Sequence, residues 1–162
     1  MKIRCLSVAF AFVAILSLAG CATSIVKQTH PLYAAPSDAY AEVVFFRPMP
    51  RRTRGVADND VTIEVDKQEM LKLSAGEYVV LRLKPSEVEV TMRNMTYLTY
   101  RVMPEEVYRA RRISFEANKT YYIQAMLKVE EFRGYYFVPQ VIEEEQGKQI
   151  VRQLKPVTQP VG

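Results

Sequence analysis

Apolar residues occur at every second position through most of the chain beyond Tyr40. The stretches that show this alternation are Val61–Val65, Val79–Leu83, Val88–Met92, Ile113–Phe115 and Tyr121–Val129. Such alternation is typical of antiparallel strands that have one face on a core. Turn-forming residues such as Ser74-Ala75-Gly76 and Asn118-Lys119 separate the stretches. The pattern predicts a mainly β fold, an antiparallel β-sandwich, over residues 40–142.

Two further stretches indicate where individual strands lie in their sheet. The segment Glu42–Arg47 contains Val43-Val44-Phe45-Phe46 and is therefore apolar on both faces, which predicts a central strand. The segment Tyr135–Ile142 contains Pro139, which cannot donate a backbone hydrogen bond and therefore predicts an edge strand.

Helical signals are confined to two short segments. Pro104–Arg112 begins with proline and two glutamates and ends with arginines, the charge order that favours a helical turn or two. Glu143–Leu154 has acidic residues at its start and Ile150 and Leu154 on one face, which predicts one short C-terminal helix. Gly147 should weaken this helix by about 1 kcal/mol. The tail Lys155–Gly162 contains two prolines and is predicted to be disordered.

The N-terminus has the three-part pattern of an export signal. Lys2 and Arg4 precede an apolar run from Leu6 to Ala19, which is too short for a membrane-spanning helix but suits a signal peptide. Residues 1–20 are therefore predicted to be a signal peptide. The alternatives are an ordinary secreted protein and, less favoured, an uncleaved membrane anchor.

The end of this run, Leu18-Ala19-Gly20-Cys21, resembles the lipobox of bacterial lipoproteins. The resemblance implies cleavage between Gly20 and Cys21 and lipidation of Cys21, including palmitate. More than one acyl chain on Cys21 would give a stable membrane anchor. Ala22 is not the aspartate associated with inner-membrane retention, which implies the periplasmic face of the outer membrane. Processing removes Lys2 and Arg4, so the net charge falls from +4 to +2 and nucleic acid is not an expected partner.

The sequence is poor in catalytic and metal-binding residues. It contains one histidine, His30, in a segment (residues 21–39) that is predicted to be a flexible tether. Cys5 is removed with the signal peptide and Cys21 is lipidated, so no thiol remains. Glycine-rich phosphate loops and zinc motifs are absent, and Glu42, Glu64, Glu87, Glu89 and Glu116 occupy outward strand positions. The sequence therefore predicts a protein that is not an enzyme, without a cofactor or metal.

Arginine and tyrosine provide the remaining candidates for binding. Arg47, Arg51, Arg52 and Arg54 surround the loop that follows the first strand, and guanidinium groups suit phosphates and carboxylates. These four residues are the possible ligand-binding set, although solvated loops with Arg47 stacked on an aromatic ring would explain them too. The second basic cluster is Arg109-Ala110-Arg111-Arg112. It too could bind an anionic ligand or consist of solvated side chains.

Two tyrosine pairs, Tyr121-Tyr122 and Tyr135-Tyr136, fall in predicted strands. Successive strand residues face opposite sides, so one tyrosine of each pair should pack inside. An exposed strip of Tyr122 and Tyr136 would be a surface for carbohydrate or peptide.

The domain also resembles a known family. The supporting motifs are Ala41-Glu42-Val43-x-x-Phe46-Arg47-Pro48, Val61-x-Ile63-x-Val65-Asp66, Leu73-x-x-Gly76-x-Tyr78 and Ala117-x-x-x-Tyr121-Tyr122. In this order they resemble an uncharacterised domain family of short bacterial lipoproteins, over about residues 41–140. The resemblance implies a sandwich similar to carboxypeptidase-regulatory or transthyretin-like domains, which bind or support rather than catalyse. Pro85-Ser86-Glu87-Val88 departs from the P-G-x-H turn of that family.

The expected function is therefore that of a bacterial envelope lipoprotein whose non-catalytic sandwich is a structural or protein-interaction module. Its expected partners are the membrane, through the anchor at Cys21, and another envelope protein. The alternative is an anionic-ligand module that binds lipid A phosphate, peptidoglycan or glycan through the arginine-rich loops. The sequence leaves the oligomeric state open.

Overall fold

The structure is a computed structural model that describes residues 29–50, 59–97, 103–130 and 134–157. Its elements in chain order are β1 (Ala41–Arg47), β2 (Val61–Val65), β3 (Gln68–Leu73), β4 (Glu77–Leu83), β5 (Ser86–Thr96), β6 (Glu105–Phe115), β7 (Thr120–Glu130), β8 (Gly134–Ile142), α1 (Glu144–Val151) and β9 (Lys155–Pro156). The predicted signal peptide, the lipobox and Cys21 lie outside the described residues. Within those residues, no helix has the length and apolar character needed to cross a membrane.

Two sheets face each other across one core. The first has the strand order β8-β7-β1-β4-β9 and the second has the order β3-β2-β5-β6. Most neighbours are antiparallel, but β1–β7 and β4–β9 are parallel pairs. The inward residues of both sheets are buried together, including Phe45, Leu81 and Ile123 on the first sheet and Ile63, Val90 and Ile113 on the second. The predicted mainly β sandwich with one short C-terminal helix is confirmed.

The central position of β1 is also confirmed, and the helix explains why this strand is apolar on both faces. Phe45 on the inward face is completely buried in the main core. Val44 and Phe46 on the outward face pack in a second cluster with Tyr122 of β7, against α1 and the residues that follow it. The helix therefore shields the outward face of the first sheet from water, where a two-layer sandwich would leave it exposed.

Gly147 has a packing role that its helix propensity does not reveal. It is buried in α1, and a Cβ atom built on it would overlap the ring and Cβ atoms of Tyr122. The absence of a side chain at this position allows the helix to approach the sheet closely. Glycine destabilises the helix at this position, and the close packing of α1 on the sheet offsets that cost.

The prediction of a helical turn over Pro104–Arg112 is wrong. These residues belong to β6, which pairs with β5 along its whole length, from Glu105 opposite Thr96 to Phe115 opposite Ser86. β6 is an edge strand of the second sheet, and its first half extends beyond the apolar core. Because that half has no core to cover, its sequence carries charges in place of the apolar alternation that would have marked it as a strand.

Both ends of the domain are more ordered than the sequence predicts. The predicted disordered tail begins with β9, where Lys155 pairs with Glu77 of β4. At the other end, Tyr33 forms an isolated bridge with Leu83, and the amide of Lys84 donates to the carbonyl of Leu32. The folded domain therefore begins before Tyr40, and residues 30–34 are not part of a flexible tether.

Pro139 lies where the sequence places it, in an edge strand. β8 is the last strand of the first sheet, and Pro139 pairs with Ala125 of β7. A residue without an N–H is tolerated there because one side of the strand has no neighbouring strand within the described part of its sheet.

Candidate interaction cleft

The strand β7 extends further than the central strand beside it. The parallel pairing of β1 with β7 runs from Glu42 opposite Thr120 to Phe46 opposite Gln124, and β1 then ends at Arg47. β7 continues for six more residues, 125–130, which pair with β8 on their other side. Along this part, no described strand pairs with β7 on the β1 side. Alternate residues of a strand direct their N–H and C=O groups to the same side, so an open sheet edge results.

Two prolines follow the end of β1. Pro48 and Pro50 follow Arg47 and have no backbone N–H with which to donate to a neighbouring strand. Met49 lies between the two prolines and its side chain is 67% exposed. β1 therefore ends at this point, and β7 continues with β8 as its described neighbour.

A mainly apolar cleft of about 310 Å³ occupies the resulting gap. One wall is formed by Pro48–Pro50 and the other by residues 124–127 of β7, with Arg47 and Phe137 also lining it. Methionines stand on both walls, Met49 on one and Met126 on the other. Because methionine side chains are flexible, such a cleft can accommodate apolar side chains of different shapes.

Arg47 is buried beside this cleft and is already bonded within the protein. Its side chain is only 2% exposed, and Nη1 donates to the carbonyl oxygens of Asn59 (2.7 Å) and Leu73 (3.2 Å). Its guanidinium carbon lies 4.7 Å from the centre of the Phe137 ring. Arg47 therefore agrees with the alternative in which it stacks on an aromatic ring and does not bind a ligand. Its predicted companions Arg51, Arg52 and Arg54 lie outside the described residues.

The outer edge of β8 differs from the edge of β7, since side chains of β5 occupy it. The amides of Tyr135 and Phe137 donate to Thr96 Oγ1 (3.1 Å) and Asn94 Oδ1 (3.3 Å). Asn94 Nδ2 donates in turn to the carbonyl of Tyr135 at 3.3 Å. These bonds satisfy backbone groups that an edge strand would otherwise expose. Among the described residues, no comparable side-chain bond reaches residues 125–129 of β7.

One tyrosine of each pair packs inside, as the sequence predicts, and the alternative of an exposed strip of Tyr122 and Tyr136 does not hold. Tyr122 is 8% exposed because α1 covers it, and Tyr136 is 9% exposed. The ring of Tyr136 lies under the Arg109 guanidinium at 4.1 Å, and its hydroxyl donates to Glu130. That hydrogen bond raises the pKa of Tyr136 above its usual value. Both rings are therefore used in packing.

The second basic cluster does not converge on one site. Arg109 and Arg111 share the face of β6 that carries Ile113, whereas Arg112 points to the opposite face because strand residues alternate. Glu64, one of the outward glutamates, binds Arg93 of the neighbouring strand at 2.7 Å. Among the described residues, no group of three or more histidines, cysteines, aspartates or glutamates could hold a metal ion.

Apart from Arg47, the residues that line the cleft were not identified as candidates from the sequence. Pro48 and Pro50 are the one signal that could have marked it, since they show where β1 must end. No family model matches the chain, and neither the curated proteins nor the solved structures contain a match to it.

Proposed function

We propose that this protein is a bacterial envelope lipoprotein whose sandwich domain binds another envelope protein without catalysing a reaction. The order of charged, apolar and lipobox residues before Cys21 supports export and lipid anchoring. The resemblance to short lipoprotein domains points in the same direction. We place the protein on the periplasmic face of the outer membrane, on the basis of Ala22.

The proposed mode of binding is the addition of an extended segment of the partner to β7. The observation that carries it is that β7 continues over residues 125–130 with no described strand on its β1 side. Backbone hydrogen bonds to such an edge would provide affinity, and the apolar cleft would provide selectivity for one side chain. The bound segment must be extended and must lack proline where it pairs with β7.

An apolar side chain is favoured over an anionic one in this cleft. Arg47, the cation that lines it, already bonds the carbonyls of Asn59 and Leu73. An anion would have to compete with these buried bonds, which would leave two carbonyl oxygens without their donor. The anionic-ligand alternative would therefore depend on Arg51, Arg52 and Arg54.

Site-specific photo-crosslinking in intact cells tests this proposal. A photoreactive amino acid at Met126 of the full chain should yield an adduct with one envelope protein. Adding Met49→Asp, which places a carboxylate on the facing wall, should remove that adduct because the cleft would no longer accept an apolar side chain.

The matched control is Met95→Asp, which changes another exposed methionine, on the outward face of β5. This variant should leave the adduct intact. An adduct that survives Met49→Asp, or that Met95→Asp removes equally, would reject the cleft as the binding site.

A further inference from the structure

β6 presents a second edge that has different chemistry. It is eleven residues long, all of them paired with β5 on one side, and it ends the second sheet. No described strand pairs with its outer side. β8 does not take this position, because Asn94 and Thr96 hold its backbone on the inward side of β5. The outer edge of β6 is therefore long and regular, and no described strand covers it.

The charges along β6 are divided between its two halves. Glu105 and Glu106 begin the strand, and Arg109, Arg111 and Arg112 come later. Between them lies Tyr108, whose side chain is 65% exposed on the outward face. Among the described residues, no carboxylate forms a salt bridge with the side chain of Arg111 or Arg112.

We propose that two copies of the chain associate through β6, paired antiparallel about a two-fold axis at Tyr108. In this register Glu105 lies opposite Arg111 of the other copy, and Val107 lies opposite Arg109. Glu106 lies diagonal to Arg112, within reach of a long side chain. The two four-stranded sheets become one continuous sheet across the axis.

The faces of the strand agree with this register. In an antiparallel pair, residues directly opposite each other project to the same face. Glu105 and Arg111 both lie on the face that carries Ile113, since they differ from it by an even number of positions. Tyr108 lies on the other face and meets its own counterpart, so an exposed aromatic side chain of β6 is covered by the pairing.

The charge pattern also selects a second copy and an antiparallel direction. A parallel pair in register would place glutamate beside glutamate and arginine beside arginine, which is destabilising. Reversing one copy brings each acidic end against a basic end. The acidic and basic residues that complement each other are both in β6. Two identical strands related by a two-fold axis therefore form the same charge pairs at both ends.

Charge exchange in the full chain tests the pairing. Sedimentation of the purified, detergent-solubilised protein should show a dimer. Arg111→Glu should weaken dimerisation by roughly tenfold or more, because two carboxylates would then face each other. The double variant Glu105→Arg/Arg111→Glu should restore the dimer, since the charges are only exchanged. Lys72→Glu, on β3 at the opposite edge of the same sheet, should have no effect.

Disulfide trapping tests the position of the axis. Tyr108→Cys should crosslink two copies under mild oxidation, because residue 108 faces itself, whereas Glu106→Cys should not exceed the background of the wild-type cysteines. A monomer at all concentrations, or a double variant that stays as weak as Arg111→Glu, would overturn the proposal. β6 and β7 belong to different sheets. A positive or negative result for dimerisation through β6 therefore does not decide whether a partner binds at β7.

Discussion

The guanidinium carbon of Arg47 lies 4.7 Å from the centre of the Phe137 ring. Through this contact and its bonds to Asn59 and Leu73, Arg47 connects the end of β1 to β8, to the end of β3 and to the segment before β2. A buried guanidinium is stable only when such partners satisfy it. The residue that begins the predicted ligand-binding set is therefore part of the framework of the cleft.

Replacing Arg47 should destabilise the domain. Arg47→Met keeps the length of the side chain but removes both hydrogen bonds and the contact with the ring, which should cost about 2–4 kcal/mol. Thermal or denaturant unfolding of the purified protein measures the loss. Arg82→Ala is the matched control, because Arg82 also stacks on a ring, that of Tyr40, but is exposed. A loss at Arg47 no larger than that at Arg82 would contradict the structural role.

Gly147→Ala should destabilise the protein although alanine favours helices. The added methyl group would overlap Tyr122, and overpacking of this kind costs about 1–3 kcal/mol. Gln149→Ala, on an exposed position of the same helix, should be neutral or slightly stabilising. Relative to the wild type, the free energy of unfolding should therefore fall in Gly147→Ala but not in Gln149→Ala. Stabilisation by Gly147→Ala would show that α1 does not rest on the tyrosine ring.

The strands could be predicted where one face meets the core. Val79, Leu81 and Leu83 alternate with more exposed residues because each strand covers a core on one side only. Arg109 and Arg111 are on the same face of β6 as Ile113 but lie outside the apolar core, with Arg109 against the Tyr136 ring of β8, so the alternation disappears there. The charge order of this segment matches a helix dipole pattern and therefore predicts a helix wrongly. Local sequence cannot show where along a strand the apolar core ends.

His30 is another residue whose environment depends on tertiary contacts. The sequence predicts a solvent-exposed residue in a tether, yet the side chain is 8% exposed. Its Nδ1 accepts a hydrogen bond from the amide of Leu32 at 3.2 Å, and its ring meets Tyr33 edge to face. Burial lowers the pKa of His30 below its usual value, against smaller opposing effects of the Val65 backbone and the Asp66 charge.

This pKa predicts a loss of stability in mild acid. Below the usual histidine pKa of about 6.5, the unfolded chain takes up a proton that folded His30 resists, so acid favours unfolding. His30→Gln does not titrate and should lose less stability between pH 7.5 and pH 5.5 than the wild type. Thermal unfolding at both pH values measures the difference. Equal losses in the two proteins would show that His30 does not titrate differently on folding.

Lipidation makes a prediction about the two cysteines. Cys21→Ala should abolish incorporation of labelled palmitate and release the protein from membranes, because the acyl chains would lack their attachment site. Cys5→Ala should retain both properties, since Cys5 lies within the predicted signal peptide. Palmitate labelling followed by membrane fractionation checks both variants. Labelling that persists in Cys21→Ala would refute the lipobox interpretation.

The candidate cleft could not be predicted because it depends on a comparison between two strands that are distant in sequence. β1 ends at Arg47 and β7 at Glu130, but only the pairing of Phe46 with Gln124 shows that β7 extends further. Pro48 and Pro50 predict the end of β1, but they do not predict that β7 is its neighbour or where β7 ends. The partner strand and its register come from the tertiary fold.

The most direct test of strand addition at β7 is the register of its crosslinks. Photoreactive residues placed in turn at Met126, Lys128 and Glu130 lie in the open part of β7 and project to one face at every second position. Mass spectrometry of the adducts formed in intact cells should map them to one extended partner segment, with contacts that move by two residues at each step. Adducts without this order, or a yield at Val141 on β8 equal to that at Met126, would contradict the proposal.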